Sequence, residues 1–381
     1  MVEMNEGLTL RAIRTFMQEQ DVPIVGITFP ERDQALDVLL MKHKETGNYI
    51  YFGDSEIGQR QDYEAVLPFC KTIIVIGVPY NSLESASISE GPLGDGTVSN
   101  MAWEYDYHTV VKEKLALLEA FIRMELPKIG MSIQVDTGPL VDRHIAYRAG
   151  LGSYAKNQGL MHERYGTEFY IGYLLLDQVL MAHERVSPQP LKAACCENCQ
   201  LCIRACPSGA LSEENGFLGP RCISYLTQKK HWLSWEEREW MKDAVYGCDR
   251  CQIACPRNRH KPDIPSAYKR ISSNRLDLKV LIGLSNKQLL KRYQTTGFVW
   301  RGPNVLKRNA IIALGNKGDA TDVAFLEPLL THASDYLVPY ILWALWKCGD
   351  ADIFERCQKT LNNSEDAIIK KECREILQLI K

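Results

Sequence analysis

The spacing of the cysteines between residues 196 and 255 constrains this chain more than any other feature. A run of the form Cys-x2-Cys-x2-Cys-x3-Cys-Pro begins at Cys196, and a shorter run, Cys-x2-Cys-x3-Cys-Pro, begins at Cys248. Val245 stands where the second run would need its first cysteine, and Cys222 lies between the two runs. Three close thiolates followed by a fourth before proline are typical of segments that bind four-iron, four-sulfur (4Fe-4S) clusters, as in bacterial ferredoxins. We therefore expect two such clusters here.

The eight cysteines of this segment divide into two sets of four, because the cysteine before proline ligates the other cluster in two-cluster ferredoxins. The first cysteine set is predicted to be Cys196, Cys199, Cys202 and Cys255, and the second cysteine set Cys206, Cys222, Cys248 and Cys251. Cys195 is left over. A pair of zinc sites is the alternative, since Cys-x2-Cys knuckles also bind zinc. Disulfides are less expected, because nothing at the N-terminus resembles a signal peptide and cytosolic thiols stay reduced.

The composition indicates a soluble globular protein of two or three domains, and no apolar run approaches the length of a membrane span. The net charge of −2 argues at first against a polyanionic partner. However, residues 256–308 contain 13 Lys and Arg against two acids, a local net charge of +11. Such a stretch could hold a nucleic acid, or it could be a solvated basic face without a partner.

Apolar periodicity predicts three domains. Residues 1–185 alternate helices (8–19, 31–44, 108–124 and 141–149) with strands (21–29, 71–80, 132–136 and 169–176), which favours an α/β domain. The strand at 71–80 is apolar throughout and should be buried on both faces. Residues 81–100, rich in Ser and Gly, are predicted to form a loop. The cysteine domain is predicted at 186–262.

Residues 263–381 are predicted to form a helical repeat domain. The segment 305–319 aligns with 336–350 at an offset of 31 residues, and both copies carry Ala-Leu followed by a Gly-Asp helix stop. This pattern is similar to a short HEAT-like repeat, which offers a concave face to a large partner.

The segment 135–157 is the place where catalytic groups are expected. No G-x-G-x-x-G or P-loop motif indicates a nucleotide site. Asp136 ends a predicted strand, where it could act as a general acid if an apolar cavity kept it protonated, or could simply cap the following turn. Lys156 and Asn157 could hold amide or phosphate groups.

Five motifs together resemble the epoxyqueuosine reductase family. They occur in order along most of the chain and read VDTGPLVDRHIAYRAGLGSYAKN, CENCQLCIRACP, RCISYLTQKK, YGCDRCQIACP and KRNAIIALGN. The resemblance implies a cobalamin-binding first domain with a nitroreductase-like fold, followed by a ferredoxin-like two-cluster domain. It also implies an enzyme that binds tRNA and takes electrons from an external donor. We expect this enzyme to be cytoplasmic, to have no membrane anchor and to act as a monomer.

The resemblance also assigns roles to individual residues. It implies that Asp136 is the proton donor. The residues that fall in segments similar to the family's cobalamin pocket are Arg60, Ser99, Ser153, Lys156 and Asn157. Some family members carry a cysteine near the position of Ser99, so a cysteine role beside cobalt is not expected here. The implied tRNA contacts are Ser224, Gln228 and Arg308.

The implied reaction is the reduction of epoxyqueuosine to queuosine at the wobble position in the anticodon loop of a tRNA. The clusters would pass electrons singly to cobalamin, and Asp136 would protonate the leaving epoxide oxygen. A reductive dehalogenase also pairs cobalamin with two clusters, but it would commonly have an exported twin-arginine precursor and would leave the helical repeats without a task. A non-enzymatic electron carrier would leave residues 1–185 unexplained.

Overall fold

The computed structural model describes residues 8–53, 56–80, 95–103, 105–180, 190–259, 262 and 275–380. In these ranges the helices are α1 (Leu10–Glu19), α2 (Gln34–Glu45), α3 (Tyr63–Val66), α4 (Tyr107–Glu125), α5 (Asp142–Arg148), α6 (Leu201–Arg204), α7 (Ile223–Leu226), α8 (Trp235–Met241), α9 (Arg250–Ile253), α10 (Leu278–Gly283), α11 (Asn286–Arg292), α12 (Pro303–Lys317), α13 (Val323–Leu326), α14 (Val338–Lys347), α15 (Ile353–Asn363) and α16 (Ala367–Ile380). The strands are β1 (Ile24–Thr28), β2 (Thr72–Pro79), β3 (Asp95–Val98), β4 (Met131–Gln134), β5 (Ser153–Tyr154), β6 (Leu160–Met161), β7 (Phe169–Leu176), β8 (Leu211–Ser212), β9 (Gly216–Phe217), β10 (Ala244–Tyr246) and β11 (Arg275–Asp277). Within the described ranges, no helix has the length and apolarity needed to cross a membrane.

The chain forms two compact units, each assembled from several segments. The first unit comprises Met1–Glu84, Tyr105–Pro220 and Arg250–Ile271, and the second comprises Ser85–Glu104, Arg221–Asp249 and Ser272–Lys381. These units divide the chain at positions other than 185 and 262, and the cysteine segment contributes to both. The three-domain division therefore stays a prediction.

A four-stranded sheet organises the first unit. Its strand order is β1-β2-β7-β4, and each of these three pairings is antiparallel. The predicted alternation of strands and helices is present, but the sheet is antiparallel, whereas such alternation usually builds a parallel sheet. The strand direction depends on which strands pair, and periodicity along the chain does not determine this.

The sheet of the first unit is covered on both faces, as the apolar run at 71–80 predicted. Ile74 and Ile76 of β2 pack in a core with α1 and α4, whereas Ile73 and Val75 pack in another core with α5. The four predicted inward positions of α4 are all completely buried, and they are Val111, Leu115, Leu118 and Ile122.

The second unit contains a three-stranded sheet of order β10-β3-β11 packed with helices. The prediction of a continuous loop over 81–100 was wrong for residues 95–98, because they form β3 between two partner strands. Residues 81–94 of that predicted loop lie outside the described residues. β3 pairs parallel to β10 and antiparallel to β11, both distant in sequence, so local composition carries no signal for it.

Two helices of the second unit end as the repeat alignment predicted. α12 ends directly before Gly318 (φ +67°) and α14 ends two residues before Gly349 (φ +76°), and both glycines have the left-handed conformation that terminates a helix. Asp319 and Asp350 then accept hydrogen bonds from backbone N–H groups two residues further on. The second unit is therefore helical at its C-terminal end, whereas the HEAT-like description stays a prediction.

Candidate functional site

Asp136 lies just beyond β4, at the edge of the first unit's sheet. Its φ of +51° is left-handed, a conformation that aspartate tolerates better than most residues. The side chain is 62% exposed, so the apolar enclosure suggested for it is absent from this structure. The carboxylate can therefore reach a molecule that approaches from solvent.

A second carboxylate, Asp142, lies behind Asp136 at the start of α5. Its Oδ2 accepts a hydrogen bond of 2.9 Å from the backbone N–H of Asp136, and its Oδ1 accepts one of 2.8 Å from the hydroxyl of Tyr173. Burial, together with the nearby charge of Asp136, raises the pKa of Asp142 to about 7. Asp142 thus connects Asp136 to Tyr173 of β7 through two hydrogen bonds.

The side chains beside Asp136 come from the N-terminal end of α4. The hydroxyl of Tyr107 donates a hydrogen bond to Oδ2 of Asp136. Nε2 of His108 lies 4.0 Å from the same oxygen, while its Nδ1 lies 2.6 Å from Oδ1 of Asp106, the N-cap of α4. Tyr107 also stacks on Tyr170 with a centroid distance of 5.0 Å. These groups form a polar, aromatic-backed site that can hold and exchange a proton.

Arg60 has free hydrogen-bonding capacity near these carboxylates. Its guanidinium lies 4.0 Å above the ring of Tyr51, and its charge lowers the pKa of Asp142 against the larger effect of burial. Nε and Nη1 of Arg60 are shielded from solvent and have no hydrogen-bond partner among the described residues. Buried donors of this kind are normally paired, so Arg60 has the donors to bind an acceptor-rich group.

The four members of the first cysteine set come together in the first unit. Cys196, Cys199, Cys202 and Cys255 line one small cavity of about 30 Å³. Cys195, Lys156 and Asn157 line the same cavity. In the described part of the chain, no three His, Cys, Asp or Glu side chains surround a single metal position. A 4Fe-4S cube takes one thiolate on each iron, so its ligands need not converge on one point.

The second cysteine set is shared between the two units. Cys206 and Cys251 belong to the first unit, and Cys222 and Cys248 belong to the second. All four cysteines are half-buried. Their grouping around one cluster stays a prediction.

The predicted cobalamin residues other than Arg60 have other contacts in this structure. Nζ of Lys156 bonds the carboxylate of Glu213 at 2.6 Å and two backbone carbonyls of the cysteine loop. Asn157 donates to Oε1 of Gln252 at 3.3 Å. Ser153 lies on β5, and Ser99, in the second unit, donates to Asp249 at 2.6 Å. Their role in cobalamin binding stays a prediction.

Of the three predicted tRNA contacts, Arg308 lies inside the second unit. It is completely buried, and its guanidinium donates to the carbonyls of Leu226 and Lys229, to Asn309 and to Tyr336. The guanidinium has protein partners and no exposed surface in this structure, so it stabilises the second unit, and its contact with tRNA stays a prediction.

The other two predicted tRNA contacts lie close together at α7. Gln228 donates to the carbonyl of Ser224 at 2.9 Å and accepts from the indole N–H of Trp300 at 3.1 Å. Trp300 is 52% exposed, so this pair adjoins an accessible aromatic surface. A role in tRNA binding stays a prediction for both residues.

Comparisons with known proteins agree with this geometry. Residues 60–137 match the family model described as epoxyqueuosine reductase QueG, DUF1730, and residues 195–258 match the 4Fe-4S double cluster binding domain. The epoxyqueuosine reductase of Listeria monocytogenes is 32% identical over 366 residues, which cover 94% of each protein. This chain belongs to the epoxyqueuosine reductase family. The match confirms the predicted pair of 4Fe-4S clusters and argues against zinc.

Solved structures of epoxyqueuosine reductases have the same fold. One, a complex with a tRNA-Tyr epoxyqueuosine-modified stem loop, has a TM-score of 0.87 at 29% identity, covering 97% of this chain and 98% of that chain. Another, from Bacillus subtilis, has a TM-score of 0.86 with the same identity and coverage, and its catalytic aspartate loop is swung out of the active site. The family assignment favours the reductase prediction over the dehalogenase and electron-carrier alternatives.

Sequence reasoning missed several residues that lie around Asp136 in this structure. Tyr107 and His108 lie at the start of the helix predicted at 108–124, which gave no indication of a site. Asp142 and Tyr173 were part of a predicted helix and a predicted strand. The sequence did indicate Asp142, because a carboxylate six residues after Asp136 can fold back over the intervening turn. Tyr173, in contrast, reaches the site only because β7 pairs with β4.

Proposed function

We propose that this protein reduces epoxyqueuosine to queuosine at the wobble position of tRNA, with cobalamin and two 4Fe-4S clusters, and that Asp136 donates the proton. The observation that carries this proposal is the exposed carboxylate of Asp136 at the edge of the sheet. Asp142 accepts a hydrogen bond from the backbone N–H of Asp136, and the hydroxyl of Tyr107 donates one to its carboxylate. The reaction takes up two electrons and two protons, breaks both C–O bonds of the epoxide, and forms a C=C bond and water.

The proton is needed where the epoxide oxygen leaves. Expelling an alkoxide is unfavourable, and a positioned acid that protonates the oxygen typically accelerates such a step by about 10² to 10⁴. Asp136 is exposed enough to reach a substrate oxygen. Tyr107 orients its carboxylate, and His108, at 4.0 Å, is close enough to return a proton through a small movement or one water molecule.

The free donors of Arg60 support cobalamin as the cofactor of this site. The corrin carries amide side chains that are rich in carbonyl acceptors, and the solvent-shielded Nε and Nη1 of Arg60 are suited to such acceptors. Bound cobalamin supplies the reducing chemistry that no side chain offers. Ser99, Ser153, Lys156 and Asn157 remain proposed contributors to its binding.

The clusters explain how single electrons reach the site. Each 4Fe-4S cluster transfers one electron at a time, so two reduction events are needed per epoxide. We assign one cluster to the first cysteine set and the other to Cys206, Cys222, Cys248 and Cys251. An external donor of low potential would load both.

The basic surface for tRNA is proposed to include α11 of the second unit. Lys287, Lys291 and Arg292 are exposed there, and the helix lies within the stretch of net charge +11. Such residues would provide salt-dependent binding to phosphates that is largely independent of sequence. Ser224 and Gln228 remain candidate contacts, and the modified base would have to leave the anticodon stack to reach Asp136.

The experiment that tests the function is an anaerobic turnover assay. Reconstituted full-length protein would receive cobalamin, a strong reductant and tRNA that carries epoxyqueuosine, and queuosine would be measured by mass spectrometry of the digested nucleosides. We expect product from the wild type, and a kcat lower by about 10² to 10⁴ for Asp136→Asn.

Asp335→Asn is the matched control, because Asp335 is an exposed aspartate of the second unit. It should turn over like the wild type. Absence of product from wild-type protein that contains both clusters and corrin would reject the function. Equal rates for the wild type and Asp136→Asn would keep the function and reject the proton donor.

A further inference from the structure

Lys156, a proposed contributor to cobalamin binding, also contacts the loop that carries the first cysteine set. Its Nζ donates to the backbone carbonyls of Glu197 at 3.2 Å and Cys199 at 3.1 Å, and it forms a 2.6 Å ion pair with Glu213. Lys156 also lines the cavity that is surrounded by the first cysteine set. All of these residues belong to the first unit. The ammonium group therefore lies at the predicted cluster and bonds the loop that carries its thiolates.

The position of Lys156 follows from how the chain enters the cysteine loop. Tyr154, two residues earlier, exchanges backbone hydrogen bonds with residues 191 and 193, just ahead of the first cysteine. Glu213 lies in the turn between β8 and β9, beyond the last cysteine of the first run. Lys156 thus joins both ends of the cysteine loop, and its three donors are all used.

A fixed charge at this place must act on the reduction potential of the cluster. A cube held by four thiolates carries net negative charge, and reduction adds one more electron. A nearby cation therefore favours the reduced form and raises the potential, whereas a nearby anion lowers it. The ammonium group of Lys156 borders the cavity, while Glu213 is not among the residues that line it. Water screens the more exposed carboxylate more strongly.

We propose that Lys156 is a positioning residue for the cluster of the first cysteine set, and that the Lys156–Glu213 pair sets the reduction potential of that cluster. Lys156 closes the loop around the thiolates and supplies the positive charge, and Glu213 offsets part of that charge. The proposal rests on the 4Fe-4S clusters and does not depend on which substrate the protein reduces.

Substitutions of the two residues should shift the midpoint potential of this cluster in opposite directions. Lys156→Met removes the cation and leaves Glu213 uncompensated, so the midpoint potential of one cluster should become more negative. Glu213→Gln removes the anion, keeps a side chain that can accept the bond from Lys156, and should make the same potential more positive. The double variant should lie between the two single variants, and Lys156→Arg should resemble the wild type.

The measurement is a redox titration followed by electron paramagnetic resonance on anaerobically reconstituted full-length protein. Iron and sulfide analysis would first establish equal cluster content. The second cluster in the same molecule is an internal reference, because only one of the two midpoint potentials should move. Lys192→Met is the matched control, since Lys192 is an exposed lysine of the neighbouring segment and its charge is screened by water.

Three results would overturn the proposal: shifts of the same sign in the two single variants, equal shifts of both clusters, or no shift in either variant. If Lys156→Met loses the cluster, Glu213→Gln decides alone, because it keeps the lysine and its backbone bonds. A positive shift of one cluster would then support the proposal, and an unchanged potential would refute it.

Discussion

Replacing Glu372 by Gln should strongly destabilise the second unit. Glu372 of α16 forms a bidentate ion pair with Arg238 of α8, with N···O distances of 2.7 and 2.9 Å, and neither side chain has any exposed surface. The indole N–H of Trp235 donates to Glu372 at 2.8 Å, and Arg238 donates to the carbonyl of Leu233 at 3.0 Å. The pair therefore joins the last helix to the middle of the chain.

The expected magnitude follows from the burial of both charges. Removing one partner of a buried ion pair leaves the other charge without solvent or a counter-charge, which costs about 3 to 5 kcal/mol. For a unit of this size that loss corresponds to a decrease in melting temperature of roughly 6 to 20 °C. Because whole proteins are stable by only about 5 to 15 kcal/mol, this is a large share of the total.

Tryptophan fluorescence during thermal unfolding is the assay, because all the tryptophans belong to the second unit. They are Trp103, Trp232, Trp235, Trp240, Trp300, Trp343 and Trp346. The matched control is Glu375→Gln on the same helix, where Glu375 and Lys371 are 3.8 Å apart and solvent-exposed. An exposed pair contributes at most about 0.5 kcal/mol. Equal melting temperatures for the two variants would refute the reasoning.

The double variant Arg238→Met, Glu372→Leu tests whether the pair itself stabilises the fold. Burial raises the pKa of Glu372 despite the attraction of Arg238, so the protein environment disfavours the charged carboxylate. Replacing both charges with apolar side chains of similar volume should therefore recover most of the lost stability. A double variant as unstable as Glu372→Gln would show that the ion pair contributes net stability.

Three further predictions concern the proposed active site and tRNA surface. The folded pKa of Asp142, raised to about 7, lies above its ordinary value of 3.8, so the native state holds the proton more tightly and its contribution to stability is lost as pH rises from about 4 to about 7. Melting curves between pH 5 and 8 should show Asp142→Asn gaining on the wild type by roughly 1 kcal/mol per pH unit up to about pH 7, and a pH-independent difference would contradict this. Tyr107→Phe should lower kcat by roughly tenfold to a hundredfold with little change in KM, as the Asp136 carboxylate loses its hydrogen bond; a change in KM alone would contradict a role in orienting the acid. Lys291→Ala should weaken tRNA binding and reduce the salt slope of log K by about 1 in filter-binding assays at several salt concentrations, whereas an unchanged slope would place phosphate contacts elsewhere.

The features that could be predicted from the sequence are those determined by spacing along the chain. The intervals between cysteines identified a two-cluster segment because ligand spacing is a local property. The first cysteine set then lines one cavity. In the same way, Val111, Leu115, Leu118 and Ile122 are spaced so that they fall on one face of α4, and Gly318 and Gly349 end helices because their conformation is left-handed.

The features that could not be predicted depend on which distant segments pair. β3 is a strand only because β10 and β11 lie beside it, and Tyr173 reaches the site only because β7 lies next to β4. The burial of Arg308 has the same origin. In the sequence it belongs to a basic stretch, but carbonyls at residues 226 and 229 take up its donors inside the second unit. The sequence shows that a residue is charged, but only the contacts between distant segments determine whether its side chain is exposed to solvent.

The two carboxylates at the sheet edge show how burial divides the roles of similar residues. The left-handed φ of Asp136 costs about 1 to 2 kcal/mol relative to ordinary backbone. A hydrogen bond from its N–H to the buried carboxyl group of Asp142 contributes about 0.5 to 1.5 kcal/mol, so this bond can offset much of that strain. Without Asp142, the backbone at Asp136 would be free to relax and its carboxylate would leave Tyr107. The buried Asp142 thus fixes the backbone conformation of Asp136, and the exposed carboxylate of Asp136 is accessible to the substrate.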